Sequence, residues 1–202
     1  MQIKQLKVGR MLNFSYVLYG ESRRAFCVDP SYGSTEIQSF LREADLKLDY
    51  ILLTHHHFDH VDQAAELAQK TGSRVVAHKS SPYNYDVGVI DGQRLRAGEI
   101  EVICLHTPGH TKDSICYLSS GTLFTGDTLF VGECGRVDLP GGSASEMYDS
   151  LFGKLVVLPD DTRVYPGHDY GDRPYSTIGI EKAANYVLRP RSKSEFERFM
   201  NN

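Results

Sequence analysis

Three absences narrow the classes to which this sequence of 202 residues can belong. No apolar run approaches the roughly 20 residues that a membrane-spanning helix needs, and the N-terminus, Met1-Gln2-Ile3-Lys4, lacks the apolar core of a signal peptide. Positive charge is not in excess, because 22 basic residues stand against 26 acidic ones and the net charge is −4. We therefore expect a cytoplasmic protein with no membrane partner and no nucleic-acid partner.

Cysteine is scarce, and none of the four cysteines forms a Cys-x-x-Cys pair. Cys27, Cys104 and Cys116 lie in apolar stretches, which is typical of small buried side chains. In a chain of this length that spacing predicts reduced thiols and no disulfide framework. Cys134 lies in a glycine-rich loop, where contact with a sulfur-containing substrate is an alternative, but we favour a structural role.

Low-complexity tracts, linkers and internal repeats are also missing from the sequence. The composition, 41% hydrophobic and 24% charged, is ordinary for a globular protein. Residues 1–202 are therefore predicted to form a single domain.

What the chain does contain is a dense group of metal-binding residue types in one short stretch. The apolar run 50–53 leads into it as a buried strand, and a helical pattern follows from Val61 to about Gly72. Imidazole and carboxylate together suit zinc, iron or manganese better than calcium. Because the stretch is held between two apolar elements, we favour a metal site over a solvated histidine-rich loop, with His56 as a spacer. The candidate ligands are His55, His57, Asp59 and His60.

Three further residues stand just past the ends of predicted strands: His110, Asp127 and His168. In layered α/β folds the strand ends gather ligands in one crevice. These residues are therefore expected to join the first group. We do not include His78 and His106 in this group of candidate ligands, and we interpret them as structural.

The rest of the chain alternates between strand and helix patterns. Strands are predicted at 3–8, 14–19, 25–28, 50–53, 74–77 and 163–165, with hairpins at 95–105 and 115–125. Helices are predicted from a cap at Ser34 to Ala44, from the capping box Ser143/Glu146 to Leu155, and at 176–188 and 194–200.

The ligand series resembles that of the metallo-β-lactamase superfamily: His55-x-His57-x-Asp59-His60, then His110, Asp127 and His168 in the family's order. The resemblance implies an α/β fold, an αβ/βα four-layer sandwich with two mixed sheets and helices on the outer faces. It also implies two metal sites. His55, His57 and His110 would hold one ion, Asp59, His60 and His168 would hold the second, and Asp127 would bridge them.

A narrower resemblance links the chain to the glyoxalase II group, which hydrolyses S-acylglutathione thioesters. It rests on Thr107-Pro108-Gly109-His110-Thr111, Gly135-Arg136-Val137-Asp138-Leu139-Pro140 and Pro166-Gly167-His168-Asp169-Tyr170. Full-length glyoxalase II has a C-terminal helical domain that contacts glutathione. Only about thirty residues follow His168 here, so the identity of the thiol is left open.

Persulfide dioxygenases are the alternative, because they are similar in fold and in the same seven positions. They use one Fe(II), which here would be held by His55, His110 and Asp127. The stretches Ser176 to Lys182 and Ser194 to Phe196 also resemble that group, whereas Leu139-Pro140 and Glu133 depart from its pattern. We favour the hydrolase.

In a hydrolase, two divalent ions (zinc, with iron or manganese as alternatives) would lower the pKa of a shared water and polarise the thioester carbonyl. Asp127 and Asp59 are the predicted catalytic residues. Arg136 is predicted to hold a substrate carboxylate, with pairing to Asp138 as the alternative. Tyr170 is predicted to offer its hydroxyl to the substrate, with a packed aromatic side chain as the alternative. We expect a small thiol-derived substrate as the partner, and the sequence leaves a homodimer open.

Overall fold

Two six-stranded sheets form the centre of the computed structural model, which describes residues 1–189 and 191–201. The first sheet has its strands in chain order: β1 (Gln2–Val8), β2 (Asn13–Tyr19), β3 (Arg24–Val28), β4 (Lys47–Leu52), β5 (Arg74–His78) and β6 (Val87–Val89). The second runs in the reverse order from β12 (Ser176–Thr177) through β11 (Arg163–Pro166), β10 (Thr122–Gly126), β9 (Ile115–Ser119) and β8 (Ile100–His106) to β7 (Arg94–Ala97).

Helices cover the outer face of each sheet, so the architecture has four layers. They are α1 (Ser34–Glu43), α2 (Phe58–Val61), α3 (Ala64–Thr71), α4 (Ala144–Ser150), α5 (Ile178–Ala184) and α6 (Lys193–Met200). One apolar core joins the facing sides of the two sheets. A second joins the first sheet to α1 and α3, and a third joins the other sheet to α4 and α6. The predicted αβ/βα sandwich is confirmed.

Strand direction brings several carboxyl ends to one edge of the sandwich. Strands β3, β4 and β5 pair in parallel, and β10 pairs in parallel with β11. Strand β9 is antiparallel to both β8 and β10, so β8, β10 and β11 all point the same way. The loops that follow these strands can therefore meet at that edge; they are the loops after β3, β4, β8, β10 and β11. In α/β folds, ligands bind beside the carboxyl ends of the strands in the same way.

Local predictions failed where tertiary contacts decide the conformation. Ser34 is the first residue of α1 and does not cap it; the N-cap is Gly33, without a side-chain bond. The stretch 176–188, predicted as one helix, begins as the short strand β12, because Arg163 and Val164 offer it an edge of the sheet. It then forms α5 and a 3₁₀ turn at Tyr186–Leu188.

The predicted cap at Ser143 is present, since its side chain accepts a hydrogen bond from the Glu146 N–H. Helix α4 continues as a π-helical turn at Leu151–Leu155, so the predicted end at Leu155 is also confirmed. Among the described residues, no helix combines the length and apolar character needed to cross a membrane.

Candidate metal centre

The seven predicted ligands come together at the shared edge of the two sheets. His55 and His57 lie in the loop between β4 and α2, and Asp59 and His60 lie in α2 itself. The loops after β8, β10 and β11 supply the other three, His110, Asp127 and His168. All of them except His57 and Asp127 are buried, and these two are partly exposed.

Three imidazole nitrogens converge in the first group. The His57 Nδ1 lies 3.1 Å from the His55 Nε2 and 2.9 Å from the His110 Nε2. Ligand atoms that are bound 2.0–2.1 Å from a tetrahedral ion lie about 3.3 Å from one another. The spacing of these nitrogens is therefore close to that of a metal's coordination shell.

The second group consists of Asp59, His60 and His168. The Nε2 atoms of the two histidines are 3.2 Å apart, and the Asp59 Oδ2 lies 3.5 Å from His60 Nε2 and 3.4 Å from His168 Nε2. All three ligand atoms lie within 4.8 Å of one another. This set of two imidazoles and one carboxylate also suits zinc, iron or manganese.

Asp127 lies between the two groups. Its Oδ1 is 3.3 Å from the His60 Nε2, while its Oδ2 is 3.6 Å from the His110 Nε2 and 3.5 Å from the His168 Nε2. The buried Oδ1 has no hydrogen-bond partner. Buried carboxylate oxygens are rarely left unpaired, so this atom fits a cation, and the residues present fit a pair of metal ions. That the seven residues bind metal is still a prediction.

The electrostatics of the centre also favour a cation. Burial lowers the pKa of His57 to about 4, with further lowering from His110 and His56, so its ring is neutral at neutral pH and keeps one nitrogen lone pair for a metal. Burial raises the pKa of Asp127, but neighbouring histidines, His60 first among them, outweigh burial and hold that pKa well below its usual range. Neutral imidazole and ionised carboxylate are the forms that bind metals.

His60 shows the same preference in another way. Burial lowers the pKa of its imidazole, but the carboxylates of Asp127 and Asp29 outweigh burial and raise it well above the ordinary value. The two carboxylates thus favour a positive charge at this position. A metal ion supplies that charge without a proton on the ring.

Two backbone carbonyls orient the imidazoles of candidate ligands. The His110 Nδ1–H donates to the Arg136 carbonyl at 2.8 Å, and the His168 Nδ1–H donates to the Met11 carbonyl at 2.9 Å. Each bond leaves the Nε2 of the ring free to bind a metal. Such outer bonds fix both the tautomer and the ring orientation.

Asp29 organises a further part of the centre and was missed by the sequence analysis. Its carboxylate accepts bonds from the Thr54 N–H at 2.8 Å, from the Thr54 hydroxyl at 2.6 Å and from the His60 Nδ1–H at 2.9 Å. Asn13 plays a similar part, since its side-chain amide donates to the Asp59 Oδ2 at 3.0 Å. The available signal was the position of Asp29 at a strand end, immediately after β3.

Gly167 allows two strand ends to approach each other in the centre. A Cβ at this position would lie 2.6 Å from the Asp127 Oδ1 and 2.8 Å from the His60 Cε1. Any side chain would therefore displace two of the candidate ligands. This contact explains why glycine directly precedes His168.

A cavity of about 570 Å³ opens from His110 and Asp127. Arg136 and Tyr170, the predicted substrate-binding residues, both line it. The Arg136 guanidinium donates two bonds of 2.6 Å to the Asp138 carboxylate, which is the alternative pairing that the sequence analysis considered. The Tyr170 ring stacks on the His168 ring at 4.6 Å and is 54% exposed, so this side chain lies at the rim of the centre.

The histidines outside the ligand set have other contacts. His56, the predicted spacer, bonds through Nδ1 to the Asp113 Oδ1 at 2.7 Å and takes part in none of the candidate metal groups. His78 and His106 stack on each other at 3.8 Å, also outside those groups. Cys134 is buried, and its thiol donates to the Gly135 carbonyl.

Comparisons with known proteins agree with this geometry. The family model of the metallo-beta-lactamase superfamily matches residues 8–168. The probable polyketide biosynthesis zinc-dependent hydrolase BaeB of Bacillus velezensis is 34% identical over 99% of this chain and 93% of its own. A hydroxyacylglutathione hydrolase of Pelagibacter ubique is 37% identical over 78% of this chain and 67% of its own.

Among solved structures, ETHE1 from Myxococcus xanthus superposes with a TM-score of 0.95 and 37% identity, covering 100% of this chain and 91% of its own. The match includes the C-terminal tail, which the family model does not reach. With the four-layer fold and the seven residues at one sheet edge, these matches show that the chain belongs to the metallo-beta-lactamase superfamily.

Proposed function

We propose that this protein is a metal-dependent thioester hydrolase with two divalent ions, acting on a small acyl-thiol substrate in the cytoplasm. The observation that carries the proposal is the position of Asp127, whose two oxygens face ligand nitrogens of both groups. A carboxylate placed in this way would suit a ligand shared by the two ions of a hydrolytic metal site.

Bound ions would supply a deprotonated water near neutral pH and a Lewis acid for the carbonyl. The chain's own residues do the positioning. Asp59 is held by Asn13 at 3.0 Å, which fixes a carboxylate oxygen that can accept a hydrogen bond from the attacking water. Tyr170, over the face of His168, places a hydroxyl at the rim, where it can donate to the substrate.

The thioester leaving group makes few further demands on the protein. Thiols have a pKa of about 8.5, so a thiolate departs without a strong general acid. Burial raises the pKa of the Cys134 thiol, the cysteine that lines the cavity, and this disfavours covalent attack by Cys134. The names of two relatives, a zinc-dependent hydrolase and a hydroxyacylglutathione hydrolase, agree with direct hydrolysis.

The test is thiol release from S-lactoyl thioesters without oxygen, by zinc-loaded wild type, Asp59→Asn and Asp62→Asn. Wild type and Asp62→Asn should be active, because Asp62 is exposed and outside the candidate metal groups. Asp59→Asn should lose at least about 100-fold in kcat, as a ligand and a positioning carboxylate are removed together. An Asp59→Asn enzyme as active as wild type would refute the two-metal hydrolase.

A second candidate is an iron-dependent persulfide dioxygenase. It is favoured by the structural match to ETHE1, which is a persulfide dioxygenase. That match covers the whole of this chain, including its C-terminal tail. In that case one Fe(II), held by His55, His110 and Asp127, would suffice, and Asp59→Asn would keep its activity. Oxygen uptake with glutathione persulfide, together with no thioester hydrolysis, would establish this candidate in place of the first.

A further inference from the structure

The cavity beside the metal centre has an outer wall built by the C-terminal tail. Tyr186, Phe199 and Met200 line it together with Phe130 and Val137. Phe130 and Val137 are themselves buried, and Met200 packs against the core beneath α4. The walls that extend away from the candidate ligands are therefore mainly apolar.

Hydrogen bonds fix this tail to the loop that precedes Arg136. The buried Glu181 carboxylate accepts bonds of 2.8 Å from the Gly132 N–H and from the Asn185 side-chain amide. The same amide donates to the Glu133 carbonyl at 3.1 Å, and the Tyr186 hydroxyl donates to the Glu133 carboxylate. These bonds make the wall a preformed part of the site, as small-molecule pockets usually are.

The charged groups of the lining outside the metal centre, Glu133, Arg136 and Asp138, are already engaged within the protein. Arg136 is paired with Asp138, and Glu133 accepts from Tyr186, so the lining has one basic residue, Arg136, and three acidic ones, Asp127, Glu133 and Asp138. Arg191 lies outside the lining: its Nη2 donates to the Tyr186 carbonyl at 3.1 Å, its guanidinium lies 4.1 Å from the Phe199 ring centroid, and its Nη1 is buried without a hydrogen-bond partner among the described residues. None of the cavity's lining residues, all within the described part of the chain, is a cation free of an acidic partner.

A glutathione arm carries two carboxylates and one ammonium, and laying them along this wall would exchange part of their hydration for apolar contacts and the neighbourhood of three acidic residues. Burial of unpaired charge is strongly unfavourable, whereas each methylene that leaves water favours binding by about four-fold. We infer that the cavity takes an uncharged, apolar arm of the thioester substrate, and that Phe199 and Met200 determine this specificity. The inference rests on the proposed function for the thioester itself.

The experiment compares kcat/KM across two series of esters. One series has N-acetylcysteamine as the thiol and acyl groups from acetyl to octanoyl. The other has a lactoyl group on N-acetylcysteamine, on hexanethiol or on glutathione. We expect kcat/KM to rise by up to about four-fold per added methylene in one of the two series. The series in which it rises shows whether the apolar arm is the acyl chain or the thiol. The glutathione ester should have the lowest kcat/KM.

Variants of the wall provide the matched comparison. Phe199→Ala should lower kcat/KM for the longest ester by about ten-fold and leave the acetyl ester within two-fold, while Phe199→Leu should restore most of the loss. Both variants should still fold, because Phe196, the buried residue of the same helix, is unchanged. The control is Tyr85→Ala, because Tyr85 is 37% exposed like Phe199 but lies outside the cavity.

A flat response in both series, or a preference for S-lactoylglutathione, would overturn the inference and leave the hydrolase intact. If no ester is hydrolysed, the proposed function is wrong, but the inference about the cavity is not yet decided. The cavity is then tested by calorimetry with a thioether, S-hexyl-N-acetylcysteamine, and metal-free protein. Weaker binding by Phe199→Ala than by Tyr85→Ala would support an apolar subsite, and equal binding by the two would reject it.

Discussion

At the scale of single residues, Asp29 bonds to a candidate ligand, His60, without belonging to any of the candidate metal groups. It is only 2% exposed and accepts three hydrogen bonds, two from Thr54 and one from His60. Removing the carboxylate would leave each buried donor unpaired, at about 1–3 kcal/mol per group. The His60 ring would also lose the bond that fixes its tautomer.

Asp29→Ala is therefore expected to weaken zinc binding about 10- to 100-fold and to lower the free energy of unfolding. Competition with a chromogenic chelator measures the affinity, and urea unfolding measures the stability. Asp86→Ala is the control, because Asp86 accepts one bond from the Val75 N–H and belongs to none of the candidate metal groups. Equal zinc affinity in Asp29→Ala and wild type would show that Asp29 does not organise the centre.

The four cysteines give a second expectation at this scale. All four are buried, as predicted for Cys27, Cys104 and Cys116. Burial raises the pKa of every one of these thiols, to about 11 for Cys116 and to about 12 for Cys104. Because only the thiolate attacks disulfide reagents, none should react with Ellman's reagent at pH 8 in the native protein, while four should react in guanidinium chloride. One fast native thiol would contradict the burial of that cysteine.

The candidate ligands were predictable because four of them stand in one short stretch and three follow strand ends. Their supporting partners were not. Met11 orients His168 through a backbone carbonyl, which has no signature in the sequence. Asn13 and Asp59 are 46 positions apart, and only the pairing of distant strands brings them together.

At the scale of elements, the pair His56–Asp113 links two ligand-bearing loops. His56 stands between two candidate ligands, His55 and His57, and Asp113 lies three residues after His110. Their bond of 2.7 Å involves a carboxylate whose side chain is 2% exposed. A hydrogen bond to a charged group contributes about 1.5–3 kcal/mol to stability. This bond therefore favours a fixed position of the two loops relative to each other.

His56→Ala should therefore weaken the first metal site by up to about ten-fold without removing a ligand, and Asp113→Ala should do the same. The double variant should be little worse than either single one, because the two residues act through one bond. Zinc titrations of all four proteins measure this coupling. Additive losses in the double variant would mean that the pair does not act as a tether.

Most elements were predictable from apolar periodicity, including the β1–β2–β3 meander and the helix after Ser143. The exceptions are short elements that depend on a neighbour. Strand β6 (Val87–Val89) pairs with β5, and β12 pairs with β11, yet neither has enough residues to show alternation. In the same way, the predicted helix after the metal stretch is divided into α2 and α3, a break near Asp62 that no glycine or proline marks.

At the scale of the whole molecule, the sandwich explains why seven candidate ligands gather at one edge. The first sheet contributes His55, His57, Asp59 and His60 through the loop after β4, and the second contributes His110, Asp127 and His168. Each candidate site thus contains ligands from both sheets, and Asp127 faces both sites. Metal binding would accordingly tie the two halves of the sandwich together.

The most direct test of the two-metal account is the number of ions per chain. Protein purified without added metal is equilibrated with zinc, freed of excess ion and measured by elemental analysis beside Asp127→Ala. The account predicts close to two ions per wild-type chain and a loss from both sites in Asp127→Ala, since two cations would lose the carboxylate between them. A single ion per wild-type chain, or an Asp127→Ala protein that keeps two ions, would contradict it.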